Sequence, residues 1–220
     1  MDAPSKASLQ GKPQAVLDAV SAWMATHTGL MVFAPAKLAA ARSAFEGLPA
    51  PPKVLVELGT YVGFSAVAWG AMLVDLHGGR RDGLKVWCCE MDPEFAAIAA
   101  DFVALAGLQD VVEVVLGRSS DSLAAFAKGG QVKEGALDVL FLDHWEEAYM
   151  PDVKLCEKLK LFHVGSLIVA DNTDFPGAPE YLEFVKKGGD GKVKYETETV
   201  DTGAAVKWKA VEFTTVVSLQ

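Results

Sequence analysis

LDVLFLDHW (137–145) and SLIVADN (166–172) are two apolar runs that each end in acid. Unbroken stretches of Val, Ile, Leu and Phe this short read as strands buried on both faces of a parallel sheet. Ligands of such sheets gather at the carboxyl ends of the strands. Asp143 stands at the first of these ends, and Asp171 and Asn172 at the second. Two carboxylates and an amide suit a hard divalent cation such as Mg²⁺, leaving positions for water and substrate. For any one strand-end Asp the competing role is a helix cap or a loop hydrogen bond.

Further strands are predicted at 53–58, 84–90 and 111–117, separated by helical patterns. Helices are expected from Pro13 to about Thr26, over 36–46, from Ser65 to about Leu76, from the Asp92 cap to Gly107, over Ser122–Lys128, from Pro151 to about Phe162, and over Pro179–Lys187. In the first of these, Val16, Leu17, Val20, Trp23 and Met24 make an apolar stripe; after Asp92, Phe95, Ile98, Phe102 and Leu105 share one face. Two longer strands, 192–200 and 205–219, close around a turn at Asp201–Gly203 and are expected to be antiparallel at one edge. Alternating strands and helices give right-handed βαβ units, hence an α/β fold. No repeat or linker divides the 220 residues, so one domain is expected over 1–220, with 1–10 a loose lead.

Lys and Arg number 20 against 29 acidic residues, a net charge of −9, with no basic tract. Neither nucleic acid nor an anionic membrane would meet a positive field. No apolar run approaches the ~20 residues of a spanning helix, and no signal peptide is evident. Cys88, Cys89 and Cys156 match neither a disulfide framework nor a zinc pattern and read as buried free thiols. A reducing, cytoplasmic setting follows as the expectation.

The strand at 53–58 runs into Glu57-Leu58-Gly59-Thr60-Tyr61-Val62-Gly63-Phe64-Ser65. A glycine turn between strand and helix lets a ligand approach the backbone. It is not GxGxxG, and Glu57 at the strand tip would repel a pyrophosphate but attract an amine. The pattern leans from NAD toward an amino-acid-bearing nucleotide, S-adenosyl-L-methionine; the plain alternative is a tight turn with a surface Glu. Glu90 ends the next strand, where an acid accepts ribose hydroxyls. Met91 reads as an adenine face or as core packing. Ser119 reads as a ligand of the adenine edge or, with Ser120, as a helix cap. Beyond Asp143, His144 is read as a cofactor contact, Trp145 as an apolar wall or a packed loop aromatic, and Glu146 as a candidate proton acceptor. Phe175 and Pro176 follow Asn172 on a loop that could grip a flat ring.

Taken in order, 11–20, 56–67, 90–99, 102–110, 137–145 and 169–185, with the 28-residue step from Asp143 to Asp171, resemble catechol O-methyltransferase, a class I S-adenosylmethionine-dependent family. The resemblance runs from about Gly11 to Lys187. It implies a Rossmann-like methyltransferase: a seven-stranded, mostly parallel sheet with an antiparallel edge strand and helices on both faces. It implies that Glu57, Gly59, Tyr61, Gly63 and Ser65 surround the methionine part of the cofactor and that Glu90 holds the ribose. Met91, Ser119, His144 and Trp145 would lie around the adenine or sulfonium, with Asp143 beside them. Asp143, Asp171 and Asn172 would hold Mg²⁺, and Met31, Trp145 and Pro176 would border the acceptor ring, a catechol or related vicinal diol. The expected state is monomer or weak homodimer.

Three departures from the family pattern stand out. Glu146 replaces the lysine base after the His-Trp pair. Gly29 replaces a gatekeeper tryptophan. No glutamate for the second hydroxyl falls near 200–206, with Glu198 and Glu212 each several positions away. These departures leave a second expectation open: a different phenolic acceptor, or cofactor binding with weak catechol turnover. A nicotinamide oxidoreductase is disfavoured by Glu57, and a hydrolase by the lack of GxSxG.

Overall fold

The computed structural model describes residues 5–203 and 209–220. The order is α1 (Lys6–Leu9), α2 (Pro13–Met24), α3 (Pro35–Glu46), β1 (Val54–Leu58), α4 (Phe64–Leu76), β2 (Lys85–Glu90), α5 (Pro93–Ala106), β3 (Val112–Leu116), α6 (Ser119–Gly129), β4 (Leu137–Leu142), α7 (Tyr149–Lys158), β5 (Phe162–Ala170), α8 (Pro179–Lys186), β6 (Val193–Asp201) and β7 (Ala210–Leu219). A 3₁₀ turn, Glu146–Ala148, precedes α7. The described strands form one seven-stranded sheet in the order β3-β2-β1-β4-β5-β7-β6. The first five are parallel, and β7 runs antiparallel to both β5 and β6. The expected Rossmann-like sheet is present, with its antiparallel pair at one edge.

Alternation along the strands divides the core in two. Leu55, Val139, Phe141, Leu167 and Val169 face α2 to α5; Val56, Leu58, Leu140, Leu142, Ile168 and Ala170 face α6 to α8. The same alternation aims chemistry. Glu57 shares the side of Leu55, Asp143 follows Phe141, and Asp171 follows Val169. The ladder continues past the strand ends, with Asp143 N–H donating to Leu58 O (3.0 Å) and Asp171 N–H to Leu142 O (2.9 Å). Three carboxylates therefore leave adjacent strands toward the α3–α4 layer.

Several boundaries differ from those expected. α6 starts at Ser119 rather than Ser122, and neither Ser119 nor Ser120 caps it: the cap position is Arg118, with no side-chain bond. α7 stops at Lys158, and Phe162 opens β5 instead of ending a helix. An irregular strand start explains this. Phe162 pairs with Leu137, the register then shifts, and Ser166 Oγ bridges Leu137 O (2.7 Å) and His163 N (2.8 Å). On α5 the buried stripe is Ala96, Ala99, Val103 and Ala106, whereas Ile98 is exposed. Small residues win that face because the Gly63 turn presses on it. On α2, Val16 and Leu17 are buried but Trp23 is exposed. The lead contains one helical turn, and Gly11 N–H bonds Leu105 O at 2.8 Å. The first part of the predicted 205–219 strand lies outside the described residues.

Gly59 marks the tightest crossing. Its φ is +89°, and a Cβ there would sit 2.5 Å from Asp143 O and 2.9 Å from His144 Cα. Gly59→Ala therefore combines backbone strain with a backbone clash and is expected to cost about 2–4 kcal/mol. Urea unfolding measures it; a wild-type midpoint would show that the β4 end yields freely.

Candidate active site

The β1–α4 turn is built around the acids it covers. Glu57 is fully buried, so the surface reading fails, and its carboxylate lies beneath the turn rather than at an open tip. It accepts hydrogen bonds from Thr60 Oγ1 (2.6 Å) and Trp69 Nε1 (3.2 Å). Burial pushes its pKa up, and hydrogen bonds from Ser65, Thr60, Cys88 and Trp69 oppose that rise. Gly63 caps α4 at φ +88°, and a Cβ would come within 2.7 Å of Ala99 Cα. Ser65, in the first turn of α4, is buried.

Glu90 binds the far side of the same turn. Its two oxygens accept from Tyr61 N (2.8 Å) and Asp92 N (2.9 Å). Each oxygen keeps further lone-pair capacity for a diol. Tyr61 holds φ +49° and lies edge-on to Phe95 at 4.5 Å. Met91 and Trp145 are 72% and 80% exposed, so neither is core or packed loop; they stand as bare apolar faces at the ends of β2 and β4. Ser119 is half-buried at the start of α6.

His144 Nε2 pairs with Asp152 Oδ2 at 2.9 Å, while its Nδ1 is buried without a partner. The ring stacks on Tyr149 at 5.2 Å, and Tyr149 Oη donates to Asp171 O at 3.1 Å. Asp152, buried in the first turn of α7, and Tyr149 were missed by sequence reading. A buried acid beside Pro151 resembles an ordinary helix-start residue until its partner is known.

The acidic end of the sheet brings Asp143, Asp171 and Asn172 together. Asn172 holds φ +55° and donates Nδ2–H to Asp143 Oδ1 at 3.3 Å. Asp143 is pushed well above the usual carboxylate range by burial first, then by Asp171 and Glu57. Asp171 is also raised by burial, against the pull of Lys37. Lys37, in the first turn of α3, places Nζ 2.5 Å from Asp171 Oδ1, with the two side chains 2% and 5% exposed. Among the described residues no three His, Cys, Asp or Glu side chains cluster as a metal group. Two carboxylates with an amide are nevertheless a hard-oxygen donor set, and a cationic side chain already occupies its edge. The residues present fit a cation. The sequence signal for Lys37 was available: a lysine amid Phe33, Ala34, Ala36 and Leu38, at a helix N-terminus whose dipole disfavours positive charge.

The mouth is open. Met31 is 74% exposed, and Gly29 at φ +109° would have no atom within 4 Å of a Cβ. Beside it lies an apolar groove of about 330 Å³, lined by Val16, Val20, Trp23, Leu30, Val62 and Phe64 among others. Glu146 is half-buried in the 3₁₀ turn and adds to the charge felt by Asp143. Phe175 and Pro176 are exposed, joined by a cis peptide. The Asp174 side chain ties this loop to β7, accepting from Lys209 N (3.2 Å) and Ala210 N (3.4 Å). Glu198 is exposed, and Glu212 is buried under Thr197 and Thr199. Residues 204–206 of the 200–206 segment lie outside the described residues.

This seven-stranded sheet order, with a glycine turn after β1 and acids at the strand ends, is the arrangement of the class I S-adenosylmethionine-dependent methyltransferases. The family model described as a methyltransferase domain matches residues 56–173. Catechol O-methyltransferase of Sus scrofa is 41% identical over 138 residues, covering 63% of this chain and 69% of that protein. The Bos taurus enzyme is 42% identical over 135 residues, 61% of this chain but only 46% of that protein, so the chain spans about half of the cattle relative's length. The fold is also that of the O-methyltransferase from Bacillus cereus in complex with SAH, with a TM-score of 0.65 at 19% identity, covering 93% of this chain and 90% of that one. The chain belongs to the catechol O-methyltransferase family.

The raised Asp143 carboxyl has a consequence for stability. An acid whose folded pKa exceeds its unfolded one contributes stability below the unfolded pKa and loses it as pH rises through the folded value. Without divalent cation, Asp143→Asn is thus expected to melt above wild type near about pH 7, with the gap closing toward about pH 4. Calorimetry across that range checks it; a variant that melts lower near neutrality would mean the carboxylate is net stabilised.

Proposed function

We propose that this chain transfers the methyl group of S-adenosyl-L-methionine to a hydroxyl of a catechol or related vicinal aromatic diol, with Mg²⁺ held by Asp143, Asp171 and Asn172. The observation that carries the reading is the meeting of Asp143 and Asp171, through the β4–β5 register, directly beside the Gly59 turn. When bound there, Mg²⁺ supplies Lewis acidity that favours ionisation of a ring hydroxyl and fixes its direction. The donor supplies an electrophilic methyl on sulfur.

The chain's own residues do the rest. The Gly59–Ser65 turn receives the amino-acid end of the donor, with the α4 N-terminus favouring its carboxylate. Glu57 stiffens that turn from below and adds negative charge for the amine. Glu90 accepts the ribose hydroxyls, and Met91, Ser119 and Trp145 enclose the adenine. His144, fixed by Asp152, packs beside the donor. Glu146 takes the acceptor's proton. Met31, Trp145 and Pro176 border the ring and exclude water from the reacting pair. Holding nucleophile and methyl at near-attack distance supplies much of the rate. The small-molecule setting suits a protein of net charge −9, and the buried thiols Cys88, Cys89 and Cys156 suit the cytoplasm.

A second reading is favoured by specific geometry. The open position at Gly29 and the apolar groove beyond Leu30 fit a bulkier phenol than a simple catechol. The assay is methyl transfer from labelled donor to a panel of vicinal diols of increasing apolar length, with Mg²⁺ or with chelator. Asp171→Ala is expected to lower kcat/KM by at least ~100-fold, and chelation of wild type likewise. Undiminished transfer under either condition refutes the metal assignment. Glu146→Gln is expected to lower kcat by about 10²-fold with little change in KM. If kcat does not change, the proton leaves by another route.

A further inference from the structure

Lys37 is a costly residue to have where it is. Its side chain is almost fully buried, on the first turn of α3, where the helix dipole opposes it. An ammonium carries three donors, yet the hydrogen bond described for Nζ is the one to Asp171 Oδ1 at 2.5 Å; Nζ also lies over the Phe33 ring, 5.8 Å from its centroid. A purely structural buried lysine would be expected to satisfy more of its donors. The side chain instead reaches toward a group of acids, and its charge lowers the pKa of Asp143 as well as Asp171.

We infer that the Lys37 ammonium is a built-in substitute for the divalent cation, seated on Asp171 when metal is absent and opposing metal when it arrives, so that Lys37 sets the cation affinity of the site. The inference rests on the assignment of Asp143, Asp171 and Asn172 as the metal set. Two physical effects follow with definite signs. In the metal-free protein the ammonium partly neutralises carboxylates that burial and mutual repulsion would otherwise destabilise. In the metal-bound protein it is a like charge held close to the cation in a poorly screened setting, so it weakens binding. The device keeps the empty site folded and keeps the metal exchangeable. A lysine that only positions Asp171 would act in the opposite direction, because its loss would disorder a ligand and weaken metal binding.

The test uses the full chain with Mg²⁺ alone, without methyl donor or acceptor. Lys37→Gln removes the charge and keeps an N–H for Asp171. Calorimetric titration is expected to show Mg²⁺ bound about tenfold more tightly than by wild type. Thermal melts are expected to show a lower metal-free midpoint and a larger Mg²⁺-induced rise than in wild type. Lys37→Arg retains the charge and is expected to bind Mg²⁺ no more tightly than wild type; it carries the test alone if Lys37→Gln does not fold even with Mg²⁺. Equal or weaker Mg²⁺ binding by Lys37→Gln while wild type binds overturns the inference and leaves the metal assignment standing, as does tighter binding by Lys37→Arg. Absence of Mg²⁺ binding in both wild type and Lys37→Gln removes the metal assignment and the inference together.

Discussion

Glu57, Asp143 and Asp171 leave three neighbouring strands on the same face of the sheet, and the ammonium of Lys37 is paired with the last of them. Strand alternation leaves no freedom in this: a carboxylate placed two residues beyond a core residue on a strand shares that residue's face. The charges cannot be dispersed without slipping the register of strands whose other residues fill both cores. Everything local is arranged around that repulsion. Glu57 is surrounded by donors from the α4 turn, Asp143 takes the Asn172 amide, and Asp171 takes Lys37. Breaking a buried ion pair by removing one partner typically costs about 3–5 kcal/mol.

This charge lies at a particular place in the strand order. β2 and β3 lie on one side of β1, and β4 and β5 on the other, so the chain reverses its winding between β1 and β4. That is the switch point where an open α/β sheet leaves a crevice. Gly59 and Asp143 face each other across it, close enough that no Cβ fits. The β1–β2–β3 half carries Glu90 and Met91 at its strand ends. The acid side is the β4–β5 half. Trp145 stands where the halves meet, its indole bare to solvent.

The departures from the family pattern noted in the sequence lie near Gly29, Glu146 and the β6–β7 turn. Gly29 leaves the mouth open, a groove of about 330 Å³ extends behind Leu30, and Glu146 adds a further negative charge near Asp143. Glu212 is committed to Thr197 and Thr199 inside the β6–β7 pair and is not free to hold a hydroxyl. The acids at the ends of β1, β2, β4 and β5 thus sit in strand register, while the altered positions lie on loops and turns. That division fits loop and helix-end residues being freer to change than residues bound into strand register.

The chain's one-dimensional pattern determined the strands, their alternation with helices, the Asp92 cap and the acids at the ends of β4 and β5. Each of these follows from local rules of periodicity, capping and chain direction. It did not determine the burial of Glu57, which depended on Trp69 and Thr60 folding over it. Nor did it reveal the small-residue face of α5, which Gly63 selects by pressing on Ala99, or the start of β5 at Phe162, which Ser166 arranges through a bridge to Leu137. The pairing of Lys37 with Asp171, 134 residues apart, was decided only in three dimensions. Electrostatic partners are chosen by proximity after packing, and no periodicity in the chain encodes which buried charge will face which.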